Sequence, residues 1–159
     1  MDRAPLVEIF QSVQGEGRYA GVPMSFLRVA VCPIRCRYCD TTESYTADAN
    51  FPVTVGDRIF REPNPVTAAR AAELVEQVTV GGTGPHRVSF TGGEPLLYPG
   101  FLHDLGATLR SSGFAINLET AALHPVALAK ILDVVDHLSA DYKLPETLEE
   151  GDFRTEHLR

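Results

Sequence analysis

From Val66 to Lys143 the chain alternates helical hydrophobic periods with short apolar runs, and this alternation restricts the fold more than any other feature. Ala68, Ala71, Ala72, Val75 and Val78 share one helical face, while Arg70, Glu73, Glu76 and Gln77 share the other. Asn64 suits the N-cap of this helix and Pro65 its first turn. "HRVSF" then reads as a buried strand that ends in "TGGEPLL". Phe101, Leu102, Leu105 and Leu109 mark a second helix, with Gly113 as its stop. "FAINLE" is a strand, "HPVALAKILD" a helix and "VVDHLSADYK" mostly a strand. Strands separated by helices build parallel βαβ units. Upstream, "PLVEIF" and "PMSFLRVAV" read as strands joined by the turn "QGEGRYAGV". Residues 42–65 are polar and proline-punctuated and read as loop, with room for a short ribbon from about Phe51 to Phe60. The tail "PETLEEGDFRTEHLR" has no period. Four or five such strands make an open, partial (β/α) barrel, because a closed eight-fold barrel takes roughly 250 residues.

At 159 residues the chain is expected to form a single domain, 1–159, with its own core. Apolar residues are 44% and charged residues 22%, the balance of a soluble globular protein. A net charge of -7 argues against a broad nucleic-acid surface but allows a local basic pocket. No run is long and apolar enough for a membrane span, and "MDRAPLVEIF" lacks a signal-peptide core. A cytoplasmic setting is therefore expected, where thiols stay reduced.

All three cysteines fall within "VCPIRCRYCDT". Cys32, Cys36 and Cys39 are separated by three residues and then two, a spacing that turns thiolates toward one centre. A structural zinc site completes four protein ligands, but there is no fourth cysteine and the histidines are scattered. Three ligands on a four-iron cluster would leave one iron open to a substrate or cofactor. Spacing alone leaves three readings: an iron–sulfur cluster, zinc or another metal, and incidental thiols. "SFTGGEPLL" ends a buried strand, where ligands bind in parallel α/β folds. Gly92 and Gly93 permit close backbone approach, and Glu94 adds an acceptor for an ammonium group. Standing alone, the same stretch reads as a tight βα turn.

The C-x3-C-x-aromatic-C pattern, with Tyr38 as the aromatic residue, resembles the signature of the radical S-adenosylmethionine superfamily. In that superfamily a Gly-Gly-Glu-Pro stretch holds the methionine amino group of the cofactor. Within it, "EIFQSVQGEGRYAGVPMSFLRVAVCPIRCRYCDT" resembles the 7-carboxy-7-deazaguanine synthase family, from about Glu8 to Lys143 and most densely over residues 8–41. The resemblance implies a radical S-adenosylmethionine type of partial barrel, a [4Fe–4S] cluster on Cys32, Cys36 and Cys39, S-adenosylmethionine, and Mg2+ on Thr41. The implied reaction is a carbon–nitrogen lyase ring contraction of 6-carboxy-5,6,7,8-tetrahydropterin to 7-carboxy-7-deazaguanine and ammonia, serving queuosine and related 7-deazapurines. Val13, Gln14, Gly15 and Thr91 would contact the pterin, and Arg28 would pair with its carboxylate. Gly93 and Glu94, Glu119 in "NLET", and Ser139, Asp141 and Lys143 in "SADYK" would reach S-adenosylmethionine. No side chain is assigned as an acid, base or nucleophile. An electron donor such as flavodoxin or ferredoxin and a homodimer are also implied.

Plainer readings stand beside these. Gln14–Gly17 could be a hairpin turn, Arg28 a surface residue and Thr41 a cap, while Glu119, Ser139, Asp141 and Lys143 could be solvated strand-end residues. The chain departs from the family pattern in "ETAAL", where an "ETNGT"-like loop is usual, and its stop at Arg159 suggests either a member shortened at the C-terminus or a partner that supplies the missing wall. The rival functions are an activase that places a glycyl radical on a partner protein, and a non-catalytic iron–sulfur module.

Overall fold

The computed structural model describes residues 2–79 and 86–157. Among the described residues nine strands form: β1 (Arg3–Ala4), β2 (Leu6–Val13), β3 (Pro23–Val29), β4 (Asn50–Val55), β5 (Arg58–Pro63), β6 (Val66–Thr67), β7 (Arg87–Gly92), β8 (Ala115–Thr120) and β9 (His137–Ala140). The α-helices are α1 (Ala68–Val78), α2 (Pro99–Ser111), α3 (Pro125–Ala129) and α4 (Arg154–His157). Seven strands make one open sheet in the order β5-β4-β2-β3-β7-β8-β9, while β1 and β6 pair separately. The run β3-β7-β8-β9 is parallel throughout, as the alternation of strands and helices predicts. β2 joins it antiparallel, and β4 then runs parallel to β2. The result is a mixed α/β partial barrel with β5 and β9 at its open edges.

Strand alternation gives the sheet two chemically distinct faces. Leu27, Val29, Val88, Phe90, Ile116 and Leu118 point to the helix side and are completely shielded from solvent. There they meet Leu74 and Val75 of α1 and Phe101, Leu102, Leu105 and Leu109 of α2 in one core. Each such side chain contributes about 1.5–3 kcal/mol by leaving water. Their partners in sequence, Phe26, Arg28, Ser89, Thr91, Asn117 and Glu119, point to the opposite face.

The structure corrects the sequence reading in four places. Residues 42–65 are not simply loop, because β4 and β5 form a hairpin around Gly56, whose φ of 57° suits the turn. Phe51 and Val53 bury inward while most of β5 is exposed, so an edge strand's polar composition looked like loop. Helix α1 begins later than expected, with Thr67 rather than Asn64 accepting from Arg70 N. Asn64 instead clamps β2, accepting from Leu6 N at 2.9 Å and donating to Leu6 O at 2.8 Å. The expected helix over residues 124–133 is helical only through Ala129, and turns carry the buried Ile131 and Val134. The final strand is likewise limited to His137–Ala140. Gly113, with φ of 85°, does end α2.

Candidate active site

Arg28 pairs in register with Glu8 of β2 on one side and Thr91 of β7 on the other. Glu119 of β8 pairs with Ser139 of β9, and the Thr91 hydroxyl donates to Glu119 Oε2 at 3.0 Å. One polar row thus crosses five strands, and Arg28, Thr91, Glu119 and Ser139 of it line a cavity of about 630 Å³. Phe10 and Phe26 are register partners two residues from Glu8 and Arg28 on the same two strands.

 Their rings, those of Phe10 and Phe26, stack with centroids 5.2 Å apart and an interplanar angle of 14°, giving the cavity a flat apolar wall.

The cysteine loop leaves the carboxyl end of β3 and is braced from two sides. Val31 sits at φ 74°, a left-handed conformation that a β-branched residue rarely adopts. It is held there because Val31 N donates to Ser44 O at 2.7 Å and Glu94 N donates to Val31 O at 2.9 Å. Gly92 and Gly93 make this possible: a Cβ at Gly92 would lie 2.5 Å from Val29 N, and one at Gly93 would lie 2.2 Å from Val31 O. The close approach expected of these glycines is therefore to the chain's own cysteine strand. On the other side, Cys36 forms a β-bridge with Leu148. Arg37 N donates to Thr147 O and Glu149 N to Arg35 O, both at 2.9 Å. Leu148 is buried with Ile34, Ala121 and Leu123, against Cys32 and Cys36. The apparently unpatterned tail is thus a strap across the cysteine loop. Its sequence signal was only one leucine between polar neighbours.

The three thiols are free, half-buried and line the cavity. Burial pushes the Cys32 thiol up, partly offset by a backbone hydrogen bond at Ile34. Arg35 donates to Cys32 O at 2.7 Å and lies 4.0 Å over the Tyr45 ring. The Tyr45 phenol is pushed up to about 12, first by its hydrogen bond with Cys39. Among the described residues no group of three or more His, Cys, Asp or Glu side chains is gathered as a single ion requires. A four-iron cluster takes each thiolate on a different iron, so separated soft donors around one cavity fit it.

Arg28 Nε donates to Glu8 Oε1 at 2.9 Å and Nη1 to Thr41 Oγ1 at 3.2 Å. The Thr41 hydroxyl in turn donates to Asp40 Oδ1 at 2.9 Å. Glu119 Oε1 accepts from Gln14 Nε2 and Ser89 Oγ, each at 2.6 Å. Lys143 Nζ donates to Asp141 Oδ2 at 2.9 Å and lies 3.4 Å from the Tyr38 hydroxyl. Burial alone would lower the Lys143 pKa, but the bond to Asp141 overrides it and holds the ammonium well above its usual range.

Val13, Gln14, Gly15, Arg28, Thr41, Thr91, Gly93, Glu119, Ser139, Asp141 and Lys143 all line this cavity with the three cysteines. Glu94 does not, which corrects the expectation that its carboxylate receives an ammonium group. It is buried, with Oε1 accepting from Leu96 N at 2.9 Å and Thr120 Oγ1 at 2.6 Å, and Oε2 from Ala121 N at 2.9 Å. Those bonds use the carboxylate to tie the glycine turn to the end of β8. Sequence reasoning missed Glu8, the Phe10–Phe26 pair, Ser89 and Leu148. Period-2 alternation within each strand could have found the first three: counted back from Gln14 it reaches Phe10 and Glu8, from Arg28 it reaches Phe26, and from Thr91 it reaches Ser89.

Fold and site together define an α/β protein with a largely parallel open sheet and a three-thiol loop at the carboxyl end of a strand. The Radical SAM superfamily model matches residues 27–143, and the chain belongs to that superfamily, which implies a [4Fe–4S] cluster and S-adenosylmethionine. A 7-carboxy-7-deazaguanine synthase of Methanothermobacter thermautotrophicus is 38% identical over 144 residues, covering 91% of this chain and 51% of the relative. One from Geobacter sulfurreducens is 39% identical over 147 residues, covering 91% and 58%. The crystal structure of QueE from Escherichia coli aligns with a TM-score of 0.58 at 28% identity, covering 77% of this chain and 54% of that one. The chain therefore spans about half the length of the curated relatives it matches. Among the described residues no helix is long and apolar enough to cross a membrane.

Proposed function

We propose that the chain acts as a 7-carboxy-7-deazaguanine synthase, converting 6-carboxy-5,6,7,8-tetrahydropterin to 7-carboxy-7-deazaguanine with loss of ammonia. The observation behind this reading is the meeting of Arg28, the stacked Phe10–Phe26 pair and the three free thiols in one cavity. A flat bicyclic ring needs an apolar wall, and its carboxylate needs a cation, because an unpaired buried carboxylate is costly.

Cys32, Cys36 and Cys39 would hold the cluster. With S-adenosylmethionine bound, that group supplies the hydrogen abstraction at C6 of the pterin that opens the ring contraction. The chain's own residues bind and orient. Arg28 receives the substrate carboxylate, Gln14 and Thr91 contact the ring beside Glu119, and the aromatic pair keeps water from that face. The glycine turn would meet the cofactor through its backbone at Gly93, while Ser139, Asp141 and Lys143 would reach its ribose and carboxylate. Thr41, next to Asp40, offers the oxygen for a Mg2+ ion that also holds the substrate. We read residues 1–159 as one domain acting in the cytoplasm of the cell, with a flavodoxin- or ferredoxin-like donor and homodimeric assembly.

The decisive test is anaerobic incubation of the iron- and sulfide-loaded chain with S-adenosylmethionine, a strong reductant and the carboxypterin. Formation of 7-carboxy-7-deazaguanine with one ammonia per turnover is expected. Cleavage of S-adenosylmethionine without consumption of the pterin would overturn the synthase reading in favour of an activase.

A further inference from the structure

We propose that Glu8 is a positioning residue for Arg28, fixing which edge of the guanidinium faces the cavity and so the preference for a carboxylated ligand. This rests on the reading above, in which Arg28 receives the carboxylate of a pterin.

Glu8 and Arg28 are register partners on adjacent antiparallel strands, so their side chains emerge on the same face. Arg28 lines the cavity and Glu8 stands behind it, with side-chain exposures of 21% and 33%. Nε is engaged by Glu8 and Nη1 touches Thr41, while Nη2 has no protein partner among the described residues. A guanidinium presents its donors in a rigid plane. With Nε occupied, the side-on Nε/Nη2 fork is closed to a second carboxylate. The end-on Nη1/Nη2 pair remains, directed beside Thr41. Glu8 therefore does two opposing things. Its charge repels a ligand carboxylate, while its hydrogen bond removes the rotational freedom of a long side chain that would otherwise be lost on binding.

Two substitutions separate these effects. Glu8→Gln keeps an acceptor for Nε and removes the charge, whereas Glu8→Ala removes both. The test is calorimetric titration of the full chain with 6-carboxypterin and with pterin lacking the carboxylate. We expect Glu8→Gln to bind 6-carboxypterin at least as tightly as the parent. Glu8→Ala should bind it about tenfold more weakly than Glu8→Gln, the scale of one oriented charge-assisted hydrogen bond. Unsubstituted pterin should bind all three alike. Equal affinity of the Ala and Gln variants for 6-carboxypterin overturns the inference. So does a parallel loss of both pterins in Glu8→Ala, which would mark a purely structural residue. Arg28→Ala separates this failure from failure of the functional reading. If it leaves 6-carboxypterin binding intact, or if the parent does not prefer the carboxylated ligand, the functional reading falls and the inference with it. If Arg28→Ala weakens binding while the Glu8 variants coincide, only the positioning role falls.

Discussion

In the proposed function Arg28 is the residue on which substrate recognition turns. Leu27 and Val29 are fully buried on the helix side, so strand alternation directs Arg28 to the cavity. Arg28→Ala should weaken binding of the carboxypterin by about 2–5 kcal/mol, the range for truncating one partner of a buried charge pair. Titration calorimetry measures that loss, and S-adenosylmethionine affinity measured in parallel should be unchanged. Cys36→Ala should prevent stable loading of iron and sulfide, because two remaining thiolates leave two corners of a cluster without protein ligands. Iron and sulfide analysis after anaerobic reconstitution reads this without any turnover. Thr41→Val keeps the shape and deletes the hydroxyl that Arg28 and Asp40 share. If Thr41 binds Mg2+ as proposed, the variant should reduce turnover and leave the iron content at the parent level.

Between residues and fold stand two elements that hold the cysteine loop, the glycine turn after β7 and the strap around Leu148. Gly93→Ala would place a Cβ 2.2 Å from Val31 O, a backbone atom that cannot move without shifting Cys32. Leu148→Ala should cost about 2–5 kcal/mol, the usual range for emptying a buried leucine site, in a denaturant melt. Because Leu148 bridges Cys36, the same variant should lose iron faster to a chelator than the parent does. The glycine turn was legible in "TGGEP", since paired glycines at a strand end announce a close backbone approach. What the glycines approach was not legible. Nor was the strap, because "PETLEEGD" has no period and its one buried residue acquires meaning only from Ile34, Ala121 and Leu123. Glu94 shows the same limit: a carboxylate beside glycines looks available until Thr120 and the Leu96 and Ala121 amides are brought to it.

Across the whole molecule, acid should loosen the packing of α2 against the sheet through Asp136. Burial raises its pKa, but Ile116 N and Arg110 donate to it and leave the carboxyl below the usual range. A depressed folded-state pKa contributes stability that is present above the unfolded value, about 3.9 for aspartate, and is lost as pH falls through the folded value. Denaturant melts of the parent should therefore lose stability below about pH 4, and Asp136→Asn should reduce that acid slope. Sequence alone determined the βαβ succession, the inner faces of α1 and α2, and the three-thiol loop following a strand, because periodicity and ligand spacing are local properties of a chain. It also brought out Arg28 and Glu119 by their resemblance to a family pattern. Tertiary structure decided the sheet order, the hairpin at its edge, the strap over the cysteines and the partners of each cavity charge. Those depend on which strands become neighbours: Glu8 and Arg28 are twenty residues apart in sequence and Gln14 and Glu119 are 105 apart, and only the sheet makes them hydrogen-bond partners.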